Sequence, residues 1–548
     1  MDQLECKKDI ISVDIEEVNG IEGGLNRQMN HTKRVMTAKQ IRFLAIGGTI
    51  GTAVFLGIGG SLVKGGPLML LLGYILWTSV IFCVNEGQAE MVCQLPVESS
   101  FITFASRYVD NAFGGATGWN YFLAMCSLLC FEITAFHAAL GYWTSDVHPA
   151  IVPVVCIVTY ALLHMWSSRI FAETEFWIVL CKIVLMLGLF MFTFVTMCGG
   201  NPLKDAYGFR HWKNPGPISD YYGKNSSGYF QGFWTCLLGA SFAVAGPDFL
   251  SLVAAEAINP RQVLPSAFKS VYIRLILFFL VSALAVGIVV PYDDVILNDA
   301  IKENSAGAGR SPYVAAMSRL KIKYLGSIVN AGIITSIYSA GSAFLFNGSR
   351  TLHGLAQAGH APAFFKRTNK NGVPVYALIA TLCFACLSFL QCSDRANKVL
   401  EWFINISTAT QIVTWMAMSV SHIRWFKAMA IQNIDRSTLP YRSMFQPYGA
   451  WYALVLSTIV MISNGYPVFL NGGWDTASFI FSYAAPILFV IFYAVIKLIG
   501  RKPFAKLEDI DLREGLAEVE EHEATLSFQE IENDSSEKIG KRIIRWLF

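Results

Sequence analysis

Three ionisable side chains lie inside stretches that are otherwise apolar. Glu132 sits in Leu129-Cys-Phe-Glu-Ile-Thr134, Lys182 in Phe176-Trp-Ile-Val-Leu-Cys-Lys-Ile-Val-Leu-Met186, and Asp248 just past Gly246-Pro247. An acid at such a depth is costly and marks a functional site by default. Glu132 suits a proton carrier or the counter-ion of a cationic substrate; the alternative is a carboxylic acid bonded to a neighbouring helix. Lys182 could stand in the place of a coupling cation and titrate during a cycle; the alternative is snorkelling to a nearby membrane face. Asp248 is either a functional acid or a carboxylate that binds free N–H groups at a helix start. Ser407 and Gln411 lie four apart, on one helical face, as polar lining or as a helix–helix hydrogen-bonding pair. The sequence holds no nucleophile–base pair and no metal-ligand spacing. Nothing in it reads as catalysis, and no cofactor is expected.

Two irregular segments would position these groups. Residues 43–63 are long and apolar enough to cross a bilayer, yet Gly47, Gly48 and Gly51 fall within five positions, with Thr49 and Thr52 beside them. Glycine loses the most backbone entropy in a helix. A broken helix explains the cluster: its free N–H groups and positive dipole end attract a carboxylate at a cavity. A small-residue packing face is the other explanation. The second segment, Gly239-Ala-Ser-Phe-Ala-Val-Ala-Gly-Pro-Asp248, contains a proline that removes a backbone donor and clashes with the preceding turn. Unwinding near Phe242–Ala245 would free carbonyls for a substrate ammonium, with Phe242 as a lid.

The whole chain fits such a site. Of 548 residues, 54% are hydrophobic and 15% charged, against about one quarter charged in soluble domains. This is a polytopic membrane protein, all-α, embedded in a lipid bilayer. A net charge of +3 gives no footing for nucleic acid. Twelve apolar runs follow, near 41–64, 67–92, 113–142, 148–168, 174–198, 229–257, 270–290, 324–352, 374–392, 398–423, 449–470 and 477–499. They divide the chain into an N-terminal tail (1–40), a twelve-helix domain (41–500) and a C-terminal tail (501–548). An even count puts both tails on one side, and the Lys/Arg bias places that side in the cytoplasm. Among the N-x-Ser/Thr sequons, only Asn225 is then placed for glycosylation. The broken runs are the first and the sixth, each opening a five-span block. Gly/Pro-interrupted spans at matching places in two halves point to a 5+5 inverted-repeat transporter with a midplane site and broken helices 1 and 6.

Several motifs carry a resemblance over nearly the full length: Gly-Gly-Thr-Ile-Gly-Thr (47–52), Lys64-Gly-Gly-Pro67, Glu173-Thr-Glu-Phe-Trp177, Ala255-Glu-Ala-Ile-Asn-Pro260, Val290-Pro-Tyr-Asp293, Ser349-Arg-Thr-Leu352, Gly372-Val-Pro374 and Ser421-His-Ile-Arg424. The chain resembles the fungal amino-acid permeases of the amino acid–polyamine–organocation superfamily. Gly199-Gly-Asn-Pro202, Tyr207-Gly-Phe-Arg210, Ser227-Gly-Tyr-Phe-Gln-Gly-Phe233 and Leu516-Ala-Glu-Val-Glu-Glu-His522 look closest to the branch with the yeast carnitine permease linked to polyamine uptake. The resemblance implies a LeuT-type fold, a plasma-membrane location and proton-coupled uptake (symport) of an amino acid or related amine. It also implies that Thr49, Ile50, Gly51, Thr52 and Ala53 cradle the substrate carboxylate, and that Phe242, Ala243 and Val244 lie near its ammonium. Glu132 and Lys182 take the proton-coupling positions. Ser407 joins the candidate substrate contacts as polar lining. Common members carry Gly where Ala53 stands, Gly-Thr-Glu in place of Gly246-Pro-Asp248, and often an apolar or aromatic residue near Gln411. These departures surround the pocket and make carnitine or a polyamine credible substrates. A nutrient sensor with the same fold, signalling through its tails, is the rival reading.

The C-terminal tail is strongly acidic over residues 507–537, from Glu508 through Glu523 and beyond, with apolar Ile510, Leu512, Leu516 and Val519 among the acids. It reads either as a solvated helix or as a regulatory segment that docks on basic inner loops or recruits trafficking adaptors. The last ten residues, 539–548, combine three cations with six large apolar residues and suit a short helix on an anionic leaflet.

Overall fold

The computed structural model describes residues 37–47, 51–144, 146–166, 168–302, 311–369, 371–392, 396–470, 474–500, 503–517, 519–521 and 524–525. All of them belong to one compact unit, Val35–Phe548. Among the described residues every regular element is helical. Each of the twelve apolar runs falls on a helix. The first span is α1 (Ala38–Gly47) plus the start of α2 (Ile58–Gln94), which a π-helical turn at Ala53–Gly57 precedes. The second span is the remainder of α2. They are divided at Gly66, whose φ is 81°. Only glycine fits there: a Cβ would come within 2.6 Å of the Ser219 nitrogen. Pro67 follows, and the loop around it supplies the bonds the kink leaves open. Leu68 N–H donates to Pro217 O (2.9 Å) and Ser219 N–H to Gly65 O (3.1 Å).

After the short connecting helix α3 (Ser100–Tyr108) come α4 (Asn111–Leu140), α5 (Ile151–Trp166) and α6 (Ser168–Met197). The sixth span is α7 (Ser226–Ala243) and α8 (Asp248–Val253), and the seventh is α9 (Pro260–Ile273, continuing through a π stretch to Val289). The rest are α10 (Leu325–Gln357), α11 (Val375–Ala385, extended by a 3-10 turn), α12 (Ala396–Ile431), α13 (Tyr448–Ser463) and α14 (Thr476–Gly500). The central helix is α4, packed along α10, α12, α14 and α3, while α7 runs along α2. An all-round apolar helix is a core helix: 72% of the apolar window of α4 is buried, against 11% in α14, which lies at the perimeter.

Among the described residues, α1 runs to Gly47, Gly51 is non-helical and helical backbone resumes at Thr52. The break of span six is tighter than the sequence suggests. Phe242 and Ala243 remain helical; the gap is Val244–Pro247, with Val244 extended at φ −88°, ψ 101°. Gly239 belongs to a packing face instead, since a Cβ there would meet Ser61 Oγ at 2.2 Å. Asn225 of the sequon is exposed and caps α7, accepting from Gly228 N–H at 2.7 Å, which gives it a structural use of its own.

The C-terminal segment docks. Ile510 and Leu512 are 4% and 5% exposed. Arg107 bridges to Glu514 at 2.9 Å, Arg424 donates to Tyr108 O and Ala505 O, and Gln432 donates to Ile510 O at 2.7 Å. The carboxyl of Asp511 is held below its ordinary value by the N–H groups of Arg513 and Glu514. Residues 539–548 lie outside the described residues.

Candidate substrate site

The two breaks open onto one cavity. About 40 Å³ of it is open to the centres of water-sized spheres, room for roughly three waters. Its floor is Gly51, Thr52 and Ala53 at the start of the second half of span one. Its opposite wall is Phe242, Ala243, Ala245, Asp248 and Phe249 at the break of span six. Helix α4 presents Tyr121, Met125, Leu128 and Glu132, spaced four, three and four apart and so on one face. Ala343, Phe344 and Asn347 of α10 and Gln411 of α12 complete the lining. Tyr121 and Glu132 are eleven residues apart, so the cavity follows α4 for about 16 Å at the helical rise per residue.

At one end, Thr52 Oγ1 donates to Glu132, whose residue is 3% exposed. Gly51 lies against the same carboxylate: a Cβ there would stand 3.0 Å from Glu132 Oε1. Phe242 closes over this end, edge-to-face with Phe131 at 5.0 Å. At the other end, Asp248 accepts from Tyr121 Oη at 3.1 Å and from the Trp415 indole at 3.2 Å. Its carboxylate is thus engaged by α4 and α12 and is more than a helix-start cap. Among the described residues Asn347 Oδ1, buried in the wall, has no hydrogen-bond partner, an open acceptor for a ligand donor.

Arg274 ties the two breaks together. This side chain, 2% exposed, donates to Ala45 O at the end of α1 (2.9 Å) and to Ala245 O and Gly246 O in the break of span six (2.9 and 3.0 Å). Carbonyls freed by unwinding are satisfied by a guanidinium fork.

The expected site residues divide as follows. Gly51, Thr52, Ala53, Phe242, Ala243 and Glu132 line the cavity. Thr49 and Ile50 lie outside the described residues. Val244 is 0% exposed and does not line it. Ser407 does not line it either; its hydroxyl donates to Ser127 at 3.1 Å and joins α12 to α4, while Gln411 one turn on faces the cavity. Lys182 is buried rather than snorkelled, and its Nζ stands 3.8 Å from Glu175 Oε1. Sequence reasoning missed Arg274, Tyr121, Asn347 and Glu175. Only Glu175 left a signal, a position seven residues before Lys182 and hence on the same helical face.

The comparisons agree with this architecture. The amino acid permease family profile matches residues 40–509. The chain is 40% identical over 510 residues to the general amino acid permease AGP2 of Saccharomyces cerevisiae, covering 91% of this chain and 85% of that protein. It is 34% identical over 492 residues to a proline-specific permease of Emericella nidulans (89% of each chain) and 34% over 472 residues to the lysine/arginine permease CAN1 of Candida albicans (86% and 81%). Among solved structures, a manganese transporter of Eremococcus coleocola superposes with a TM-score of 0.53 at 14% identity, over 84% of this chain and 94% of that one. That likeness carries the LeuT-type fold, twelve spans with the first and sixth broken. The chain belongs to the amino acid permease family and is a multi-pass membrane transporter of amino acids.

Proposed function

We propose that the protein takes up an amino acid or related amine at the plasma membrane by proton-coupled alternating access, with both tails in the cytoplasm. The observation that carries this is the cavity shared by the two helix breaks, with Glu132 in its wall and bonded to Thr52 beside the first break. The substrate carboxylate meets the backbone near Gly51–Ala53 and the ammonium meets the carbonyl side near Phe242–Ala245. Protonation of Glu132 would change its bond to Thr52 and so the state of the first break. Lys182 completes the coupling pair. The relatives named above act on general amino acids, proline, or lysine and arginine. The Ala53 methyl in the floor and the Asp248 carboxylate in the wall favour a spectrum that reaches cationic zwitterions and amines, with carnitine and polyamines as candidates. The sensor reading draws on the docked C-terminal segment, which gives ligand-driven motion a route to the tail.

Uptake of radiolabelled proline, lysine, carnitine and spermidine in permease-deficient cells tests the proposal. Accumulation that rises with external acidity and is lost in Glu132→Gln supports it. Surface-exposed protein that accumulates none of the four refutes transport and favours the sensor. Ala53→Gly and Asp248→Asn belong in the same panel; an unchanged spectrum in both removes the selectivity argument.

A further inference from the structure

Beside the cavity lies a second group of buried polar side chains. Glu175 and Lys182 face each other along α6, 2% and 1% exposed. Ser339 of α10 donates to both carboxylate oxygens of Glu175, at 2.8 and 2.7 Å. Among the described residues no group stands within hydrogen-bond distance of Lys182 Nζ; Glu175 is at 3.8 Å, and both Glu175 and Glu132 act on it electrostatically. Next to Glu175 is a separate cavity with about 10 Å³ open to water centres, lined by Leu163, Phe171, Thr174, Tyr338, Ser339 and Ser342. That is room for one water. Across it, His164 Nε2 meets Ser342 Oγ at 2.8 Å. The other titratable groups facing this cluster are Tyr160 of α5, whose hydroxyl donates to Tyr338 O, and Tyr338 itself on α10. Arg350, on the His164 side, is paired with Glu256 at 2.7 Å.

The direction of this row is informative. Helix α6 begins on the side of the docked C-terminal segment, so Glu175 is nearer that side than Lys182 by seven residues, about 10 Å. His164 stands close to the end of α5 on the same side. We propose that Glu175 is the proton acceptor that takes over from Lys182 and passes the proton, through the water-sized cavity, to the Ser342–His164 pair and the tail side. The proton moves from the Glu132 carboxyl to the Lys182 amine. The ammonium so formed then gives it to the Glu175 carboxylate; no heavy-atom bond changes and no co-reactant is needed. A purely structural brace would need the ion pair but not the water-sized cavity or the polar pair beyond it. The inference rests on the proton-coupled reading above.

The test uses full-length protein reconstituted in vesicles with radiolabelled proline, lysine and carnitine in parallel. Two rates are compared: accumulation driven by a pH gradient, and tracer exchange at equal pH, which needs binding and alternation but no net proton movement. Glu175→Gln is expected to lower gradient-driven accumulation at least tenfold while exchange stays within about twofold; Glu175→Asp recovers part of the loss. Ser339→Ala, a milder change, is expected to shift the pH midpoint of accumulation by at least half a unit. Gradient-driven accumulation at wild-type level in Glu175→Gln, or loss of both rates together in well-inserted protein with no midpoint shift in Ser339→Ala, overturns the relay. Wild-type protein that exchanges tracer but never responds to a pH gradient overturns the coupled reading itself, a distinct outcome.

Discussion

Replacing Arg274 by methionine tests whether the two helix breaks act as one site. The guanidinium holds three carbonyls, Ala45 O, Ala245 O and Gly246 O, at 2.9 to 3.0 Å. Hydrogen bonds from a charged donor are worth about 1.5 to 3 kcal/mol each, and a buried carbonyl tolerates partial loss better than a buried N–H. Taking about 1 kcal/mol per bond, below that range because the carbonyls can find partial replacements, gives about 3 kcal/mol for the assembled site. At about 1.4 kcal/mol per decade that lowers the ratio of assembled to open site by about 100-fold, and apparent affinity falls by up to that factor. Arg274→Lys keeps the charge but not the fork, so it should recover only part. The assay is the concentration dependence of uptake in permease-deficient cells, normalised to surface protein. Arg274→Met with wild-type half-saturation and rate at normal surface abundance would refute the reasoning.

Other outcomes follow from the same geometry. Gly51→Ala places a methyl 3.0 Å from Glu132 Oε1; overpacking of this kind costs about 1 to 3 kcal/mol, so uptake normalised to surface protein should fall by about fivefold to 150-fold. In the docked tail, the Arg107–Glu514 ion pair should be worth at most about 1 kcal/mol because the Glu514 side chain is 66% exposed, so Arg107→Ala loses that pair and a single bond to Glu514 O. Arg424→Ala, which frees two backbone carbonyls, should release the segment measurably more in limited proteolysis. Asp511 contributes to docking with a depressed value in the folded protein. Its contribution is complete above the ordinary carboxylate value of about 3.9 and is lost only as pH falls through the depressed one. Amide exchange of 503–517, corrected for intrinsic rates, should therefore be the same at pH 5 and pH 7.5.

The twelve spans, the two breaks and the depth of Glu132 and Lys182 were legible in the chain alone. Apolar run length is set by bilayer thickness, and Gly/Pro interruptions act on the local backbone, so both effects are written within a few residues of where they operate. The site's composition was only half legible. Ser407 and Gln411 share a helical face, and nothing local says which of them meets Ser127 and which meets the cavity. That choice depends on how α12 is rotated against α4. Val244 is adjacent to Phe242 and Ala243, yet it turns away because the extended residue at the break reverses side-chain direction. Arg274 and Tyr121 gave no signal because their roles lie in pairings with Ala45 and Asp248, over sequence separations that no local pattern encodes, and Asn347 gave none because the rotation of α10 brings it to the cavity. The tail shows the same division: its acidic, apolar composition permitted either solvation or docking, and the carbonyls of Tyr108 and Ala505 meeting at Arg424 decided for docking. The sequence by itself determined a broken-helix membrane transporter. Which side chains enter the cavity, and how Arg274 holds its two broken helices together, were decided by tertiary packing, because satisfying buried carbonyls is a requirement on three-dimensional neighbours and not on adjacent residues.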